Sequence, residues 1–140
     1  MQQEGDTEVN HDPEKIRVLA EAHVGAWNSM EPEAVAETYS EVTSFAMNRG
    51  EPMRNRAEIA DMAAGFMADF LDMVLHCDAI LTAGDHAIYT WTFQGHHKDT
   101  NKAVCFSGWE EWEIGEDLKV KSSLGWYDDA DFQRQLENDG

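Results

Sequence analysis

From Val74 to Tyr127 apolar and polar residues alternate, whereas up to Phe70 apolar residues recur mostly at three- and four-residue spacing. Helices first and hairpin-linked strands last confine a chain to an α+β fold, a sheet covered on one face by helices. Asp12-Pro13 opens the first helix, with Asp as N-cap and Pro at the first helical position. Ile16, Leu19, Ala20, His23, Trp27 and Met30 share one of its faces. Glu31-Pro32 restarts a shorter helix through about Ser40, with Val35, Ala36 and Tyr39 on its inner side. Glu41 to Asn48 reads as a strand and Arg49 to Pro52 as a loop. Asn55 with Glu58 forms a capping box for a helix whose stripe is Ile59, Met62, Ala63, Phe66, Met67 and Phe70. The methionines of that stripe read as adaptable core filling.

Four strands follow: Val74–Ala83, His86–His97, Lys102–Ile114 and Leu118–Tyr127, with turns at Gly84-Asp85, Lys98–Asn101 and Gly115–Asp117. The third of them poses the main question of the chain. Its row Val104, Phe106, Gly108, Glu110, Trp112, Ile114 suits a buried face at every position except Glu110. A carboxylate in an apolar row either sits in a pocket for a reason or marks a one-residue bulge that turns it to solvent. A structural ion pair with Arg17 or Arg54 is a further reading. Asp128 to Leu136 closes the chain as a short helix or extended tail.

The 140 residues carry 28 acidic and 10 basic side chains, a formal net charge of −18. That balance excludes bulk electrostatic attraction to nucleic acid or to an anionic membrane. The 42% apolar content excludes a disordered chain. Residues 1–11 read as a flexible acidic tail and residues 12–140 as a single domain. Cys77 and Cys105 lie in apolar strand-like runs, read as free buried thiols in a reducing cytoplasm. No Cys/His spacing suggests zinc, and no cofactor is expected. No run reaches transmembrane length and no basic-apolar leader is apparent, so the expected location is cytoplasmic.

Several pieces in order carry a resemblance. They are Trp27-Asn28 with Glu31 to Tyr39, Arg56 to Ile59, Ala83 to Ala87, Trp91 to His97, Phe106 to Glu110, Gly115 to Val120, and Trp126 to Asp128 with Gln135-Leu136. Together the chain resembles the SnoaL-like branch of the nuclear transport factor 2-like superfamily, which includes polyketide cyclases. The resemblance implies a curved antiparallel or mixed sheet wrapped as a cone around the N-terminal helices, with a pocket inside. It also implies a homodimer through the convex sheet face. Members include cyclases, epoxide hydrolases, isomerases, dehydratases and proteins without known activity, so the fold alone does not choose among them.

In the cyclase members an acid on the last long strand does the proton transfer. The matching stretch here, Val120 to Leu124, has no carboxylate. Ser122 shares the row of Val120, Leu124 and Trp126 and is expected to point inward in its place. The candidate catalytic residues are therefore Glu110 as acid/base, with His23 and Ser122 polarising or positioning. Trp27, Tyr39, Trp91, Trp112 and Trp126 are candidate ligand-binding walls. Asn48 and His96 are candidates at the pocket mouth. Asp128 reads as a cap for the terminal turn. Two readings of function follow: cofactor-independent isomerase, cyclase, dehydratase or hydrolase chemistry on an apolar cyclic oxygenated compound, or non-catalytic ligand binding by a dimeric accessory protein.

Overall fold

The computed structural model describes residues 11–137. The tail expected over residues 1–11 lies outside them apart from His11. That residue is held, its backbone N–H donating to Asp85 at 2.8 Å and its Nε2 lying 2.8 Å from the Gly115 carbonyl oxygen. The chain forms α1 (Pro13–Asn28), α2 (Pro32–Ala36), β1 (Tyr39–Met47), β2 (Met53–Asn55), α3 (Arg56–Asp69), β3 (Val74–Ala83), β4 (His86–His96), β5 (Ala103–Ile114), β6 (Val120–Tyr127) and α4 (Asp129–Glu137). Six strands make one mixed sheet in the order β2-β1-β6-β5-β4-β3, with β1 and β6 parallel and the other neighbours antiparallel.

Local chemistry accounts for the boundaries. Asp12 accepts from the Glu14 N–H at 2.9 Å and caps α1. Asn55 accepts from Glu58 N–H, while the Glu58 carboxylate reaches one residue further back than a standard capping box, to Arg54 N–H. Helix α2 stops at Ala36 instead of continuing to Ser40, so Tyr39 begins β1 rather than ending a helix. Thr38 explains the stop: its hydroxyl donates to the Val35 carbonyl at 2.7 Å and replaces a continuing helical bond. The short strand β2 lies where the sequence pattern reads only a loop leading into α3. Asp128 accepts from Asp131 N–H at 3.0 Å and caps α4, as the sequence suggests.

The helices pack against the concave face of the sheet. Ile16, Leu19, Ala20, Ile59, Ala63 and Met67 meet the inner rows of β4 and β5, namely Ala87, Tyr89, Trp91, Phe93 and Val104, Phe106, Trp112, Ile114. Phe132 of α4 plugs one end against Phe70, Phe106 and Tyr127.

A bulge decides which face β6 presents. Ile114 pairs with Val120, but Glu113 pairs with Ser122, so β6 holds one extra residue there. Val120 is buried as expected; beyond it the inward row moves to Ser123, Gly125 and Tyr127. Ser122, Leu124 and Trp126 turn to the convex face, against the alternation read from Val120. Cys105 is likewise exposed and Cys77 only partly buried, because both stand on outer or edge positions rather than in the core. Among the described residues no helix is long and apolar enough to cross a membrane.

Candidate functional site

The concave side encloses a cavity of about 150 Å³. Its walls are Trp27 of α1, Tyr39, Phe45 and Met47 of β1, and Tyr89, Trp91 and Phe93 of β4. Met53, Met62 and Phe66 line the side nearest α3, and Leu75, Phe106 and Tyr127 complete the apolar lining. Glu110 and His23 are the only carboxyl and imidazole side chains that line it.

Glu110 faces inward and is 5% exposed. Its Oε1 accepts from Trp112 Nε1–H at 2.9 Å and from Ser123 Oγ–H at 3.1 Å. Trp91 Nε1–H lies near enough to favour the charged carboxylate, without closing a hydrogen bond of normal geometry. Burial opposes these donors and wins, pushing the carboxyl up to about 7. No cation among the described residues pairs with it; Arg17 instead meets Glu14 on the surface. Gly125 makes the inward rotamer possible. It stands directly across from Glu110, and a Cβ there would come within 2.9 Å of Glu110 Cγ and of Met47 Sδ. Gly125→Ala is therefore expected to displace the carboxylate and Met47 while the fold persists, because both obstacles are side chains. Carbonyl-stretch infrared titration should show the buried carboxyl ionising closer to an ordinary glutamate; an unchanged titration would refute that role.

His23 is 1% exposed and packs edge-on against Tyr39, Tyr89 and Trp112, with ring centroids 5.3–5.7 Å away. Its Nδ1 lies 3.0 Å from Thr38 Oγ1. The Thr38 proton is already given to the Val35 carbonyl, so Thr38 must accept and His23 must donate from Nδ1. The tautomer is thereby set, and Nε2 carries the lone pair. Desolvation pulls the imidazole down to about 3, which keeps it neutral across the physiological range.

Two polar atoms in the walls have no partner: Tyr89 Oη and Trp91 Nε1. A buried donor left unmade costs on the order of 1–3 kcal/mol. Burial raises both the Tyr39 and Tyr89 phenols, and the Glu110 charge raises them further, so both remain protonated.

The structure thus brings together Glu110, His23, Trp27, Tyr39 and Trp91 around one cavity. Trp112 lies behind it, fully buried, as the donor that anchors Glu110 and as a partner of the His23 ring. The other candidates stand elsewhere. Ser122, turned outward by the bulge, donates weakly to Glu113 at 3.4 Å, and its expected place is taken by Ser123. Trp126 is on the convex face, with the Arg49 guanidinium 5.5 Å from its ring centroid. His96 is on the exposed row, its Nδ1 paired with Asp72 at 2.6 Å. Asn48 accepts from Tyr127 N–H at 3.0 Å and ties β1 to β6 rather than lining the mouth. Tyr89 and Ser123 were not singled out from sequence. Tyr89 belongs to an inner row that the alternation does reveal; Ser123 has no signal without the bulge.

No curated protein matches the chain. Solved structures share its fold at low identity. A hypothetical protein with a ketosteroid isomerase-like fold from Catenulispora acidiphila, in complex with trimethylamine, is 18% identical, with a TM-score of 0.77 over 89% of this chain and 93% of that one. TsrD from Streptomyces laurentii is 17% identical, with a TM-score of 0.80 over 90% and 97%. An LEH-like epoxide hydrolase from M. tuberculosis is 12% identical, with a TM-score of 0.72 over 89% and 90%. The SnoaL-like domain family matches residues 20–123, a span that runs from α1 through the cavity wall to Ser123. With the helix-lined curved sheet and its inward carboxylate, this chain belongs to the SnoaL-like domain family, on the ketosteroid isomerase and nuclear transport factor 2-like fold.

Proposed function

We propose that the protein binds an apolar, cyclic, oxygenated small molecule and carries out cofactor-independent proton transfer on it. The observation that carries this reading is Glu110, a buried carboxyl poised at about 7 inside an aromatic cavity. Near neutral pH such a group is present in both forms, so it can take a proton from carbon or give one to oxygen. Trp112 and Ser123 hold one carboxyl oxygen and fix its direction. His23, neutral with Nε2 free, accepts a hydrogen bond or orients the ligand and does not supply charge. The cavity is close in size to engineered apolar cavities of about 150 Å³ that take up benzene, which favours a ligand of about one ring.

A non-catalytic binding role has support of its own: the inner row of β6 is Val120, Ser123, Gly125 and Tyr127, without a second carboxylate. Monocyclic terpenoid ketones, lactones and epoxides, followed by tryptophan fluorescence and by mass spectrometry, separate the readings. At least one compound should quench fluorescence and be converted by the wild type but not by Glu110→Gln. Binding without conversion would leave the carrier reading, and no binding by any compound would defeat both.

We further propose a homodimer through the convex face, where Trp109 and Trp126 stand opposite one another, each more than a third exposed, beside Leu124. Equilibrium sedimentation should give a dimer at micromolar concentration and a monomer for Trp109→Glu; a wild-type monomer would contradict the interface. A cytoplasmic location fits the two free thiols.

A further inference from the structure

The polar groups in the cavity are unevenly supplied. Tyr89 Oη–H and Trp91 Nε1–H stand two residues apart on the inner row of β4; the first has no partner, and the second lies beside Glu110 without closing a hydrogen bond of normal geometry. They are 0% and 6% exposed, and both residues line the cavity. Tyr89 is paired across the sheet with Glu110 itself, so its hydroxyl belongs to the same wall as the carboxyl. An indole N–H can only donate. Burial, and then the neighbouring Glu110 charge, raise the Tyr89 phenol and keep its proton in place at neutral pH. The other polar groups that line the cavity are the Glu110 carboxyl, the His23 Nε2 acceptor and the Tyr39 and Tyr127 hydroxyls. A ligand that satisfies this wall must bring acceptors to it.

We infer that Tyr89 and Trp91 are the specificity-determining residues of the cavity, donating to a carbonyl or ether oxygen of a neutral, roughly monocyclic ligand next to Glu110. The inference rests on the small-molecule reading above and narrows it: the site selects an acceptor oxygen, and a hydrocarbon of the same shape leaves both donors unmet. Sites built to hydrogen-bond a polar group discriminate strongly against analogues that lack it, because their own buried groups are then unpaired.

The probes are cyclohexanone and methylenecyclohexane, which differ in C=O against C=CH₂, titrated into the full chain and followed by NMR shifts of cavity methyl and indole resonances. The wild type should bind the ketone at least about tenfold more tightly. Tyr89→Phe should lose most of that preference by weakening the ketone while leaving the hydrocarbon unchanged or tighter. Its melting temperature should hold or rise, since it removes an unpaired buried hydroxyl. Trp91→Phe should reduce the preference in the same direction. Equal binding of the two probes by the wild type would overturn the inference and leave the pocket standing. Binding of neither probe would defeat the pocket reading and this inference with it. A fall in the melting temperature of Tyr89→Phe with its ketone preference intact would assign the hydroxyl a structural role instead, and would also overturn it.

Discussion

Glu110→Gln should stabilise the protein by about 3 kcal/mol at pH 8, and should do nothing of the kind at pH 4. The sign follows from the direction of the shift. Glu110 is raised in the folded chain from an ordinary glutamate to about 7, so the folded state holds this proton more tightly than the unfolded state does. Its contribution is fully favourable below about pH 4.5 and is lost as pH rises towards 7. Above that the folded protein carries a buried charge compensated by two hydrogen bonds and the nearby Trp91 N–H, which together do not offset its burial. At about 1.4 kcal/mol per pH unit the loss is about 3 kcal/mol. Glutamine keeps an acceptor for Trp112 and Ser123 and carries no charge. For a domain of this size the gain corresponds to roughly ten degrees in the melting temperature. The same variant should abolish any turnover, so stability and activity should move in opposite directions, as at sites where a strained group is kept for function. A variant less stable than the wild type at pH 8 would mean that the carboxylate is a structural anchor.

How far the sequence revealed this site depended on whether the alternation was interrupted. On β5 the row from Val104 to Ile114 runs without a bulge, so reading Glu110 from its neighbours gave the right face. On β6 the same reasoning failed two residues past a correct anchor, because the extra residue beside Val120 exchanges the faces. Ser122 and Ser123 are adjacent and chemically identical, so composition offered no correction. Tyr39 was misplaced for a different reason. Val35, Ala36 and Tyr39 fit helical spacing, but Thr38 bonds back to Val35 and ends the helix before Tyr39. Asn48 and His96 were plausible at a mouth whose position only tertiary structure determines. His23 was legible as an inward residue on an apolar stripe, yet its tautomer depends on Thr38, fifteen residues away, and on the Val35 carbonyl behind it.

His23 should make the protein acid-sensitive, and the effect should emerge most clearly once Glu110 is removed. The imidazole is held at about 3 when folded, against 6.5 for the ordinary group, so its contribution is complete above about pH 6.5 and is lost as pH falls towards 3. That loss amounts to about 5 kcal/mol, the larger of the two effects. The two groups oppose each other over most of the range: acidification relieves Glu110 while it penalises His23. The wild type should therefore show a nearly flat contribution from this pair between about pH 7 and 4.5, then a fall. Glu110→Gln should expose the His23 slope and lose stability steadily below pH 6.5. His23→Phe should expose the Glu110 slope and gain stability over the same interval. Phenylalanine preserves the ring contacts with Tyr39, Tyr89 and Trp112, and Thr38 keeps its bond to Val35. Urea unfolding at half-unit pH steps measures all three curves, and taking differences removes the background from the other carboxylates common to each chain. Parallel curves for wild type and His23→Phe between pH 6.5 and 3 would show that the imidazole gains a proton in the folded state without penalty. It would then be available as a cationic partner for Glu110, and the division of labour between a titrating carboxyl and a permanently neutral histidine would have to be abandoned.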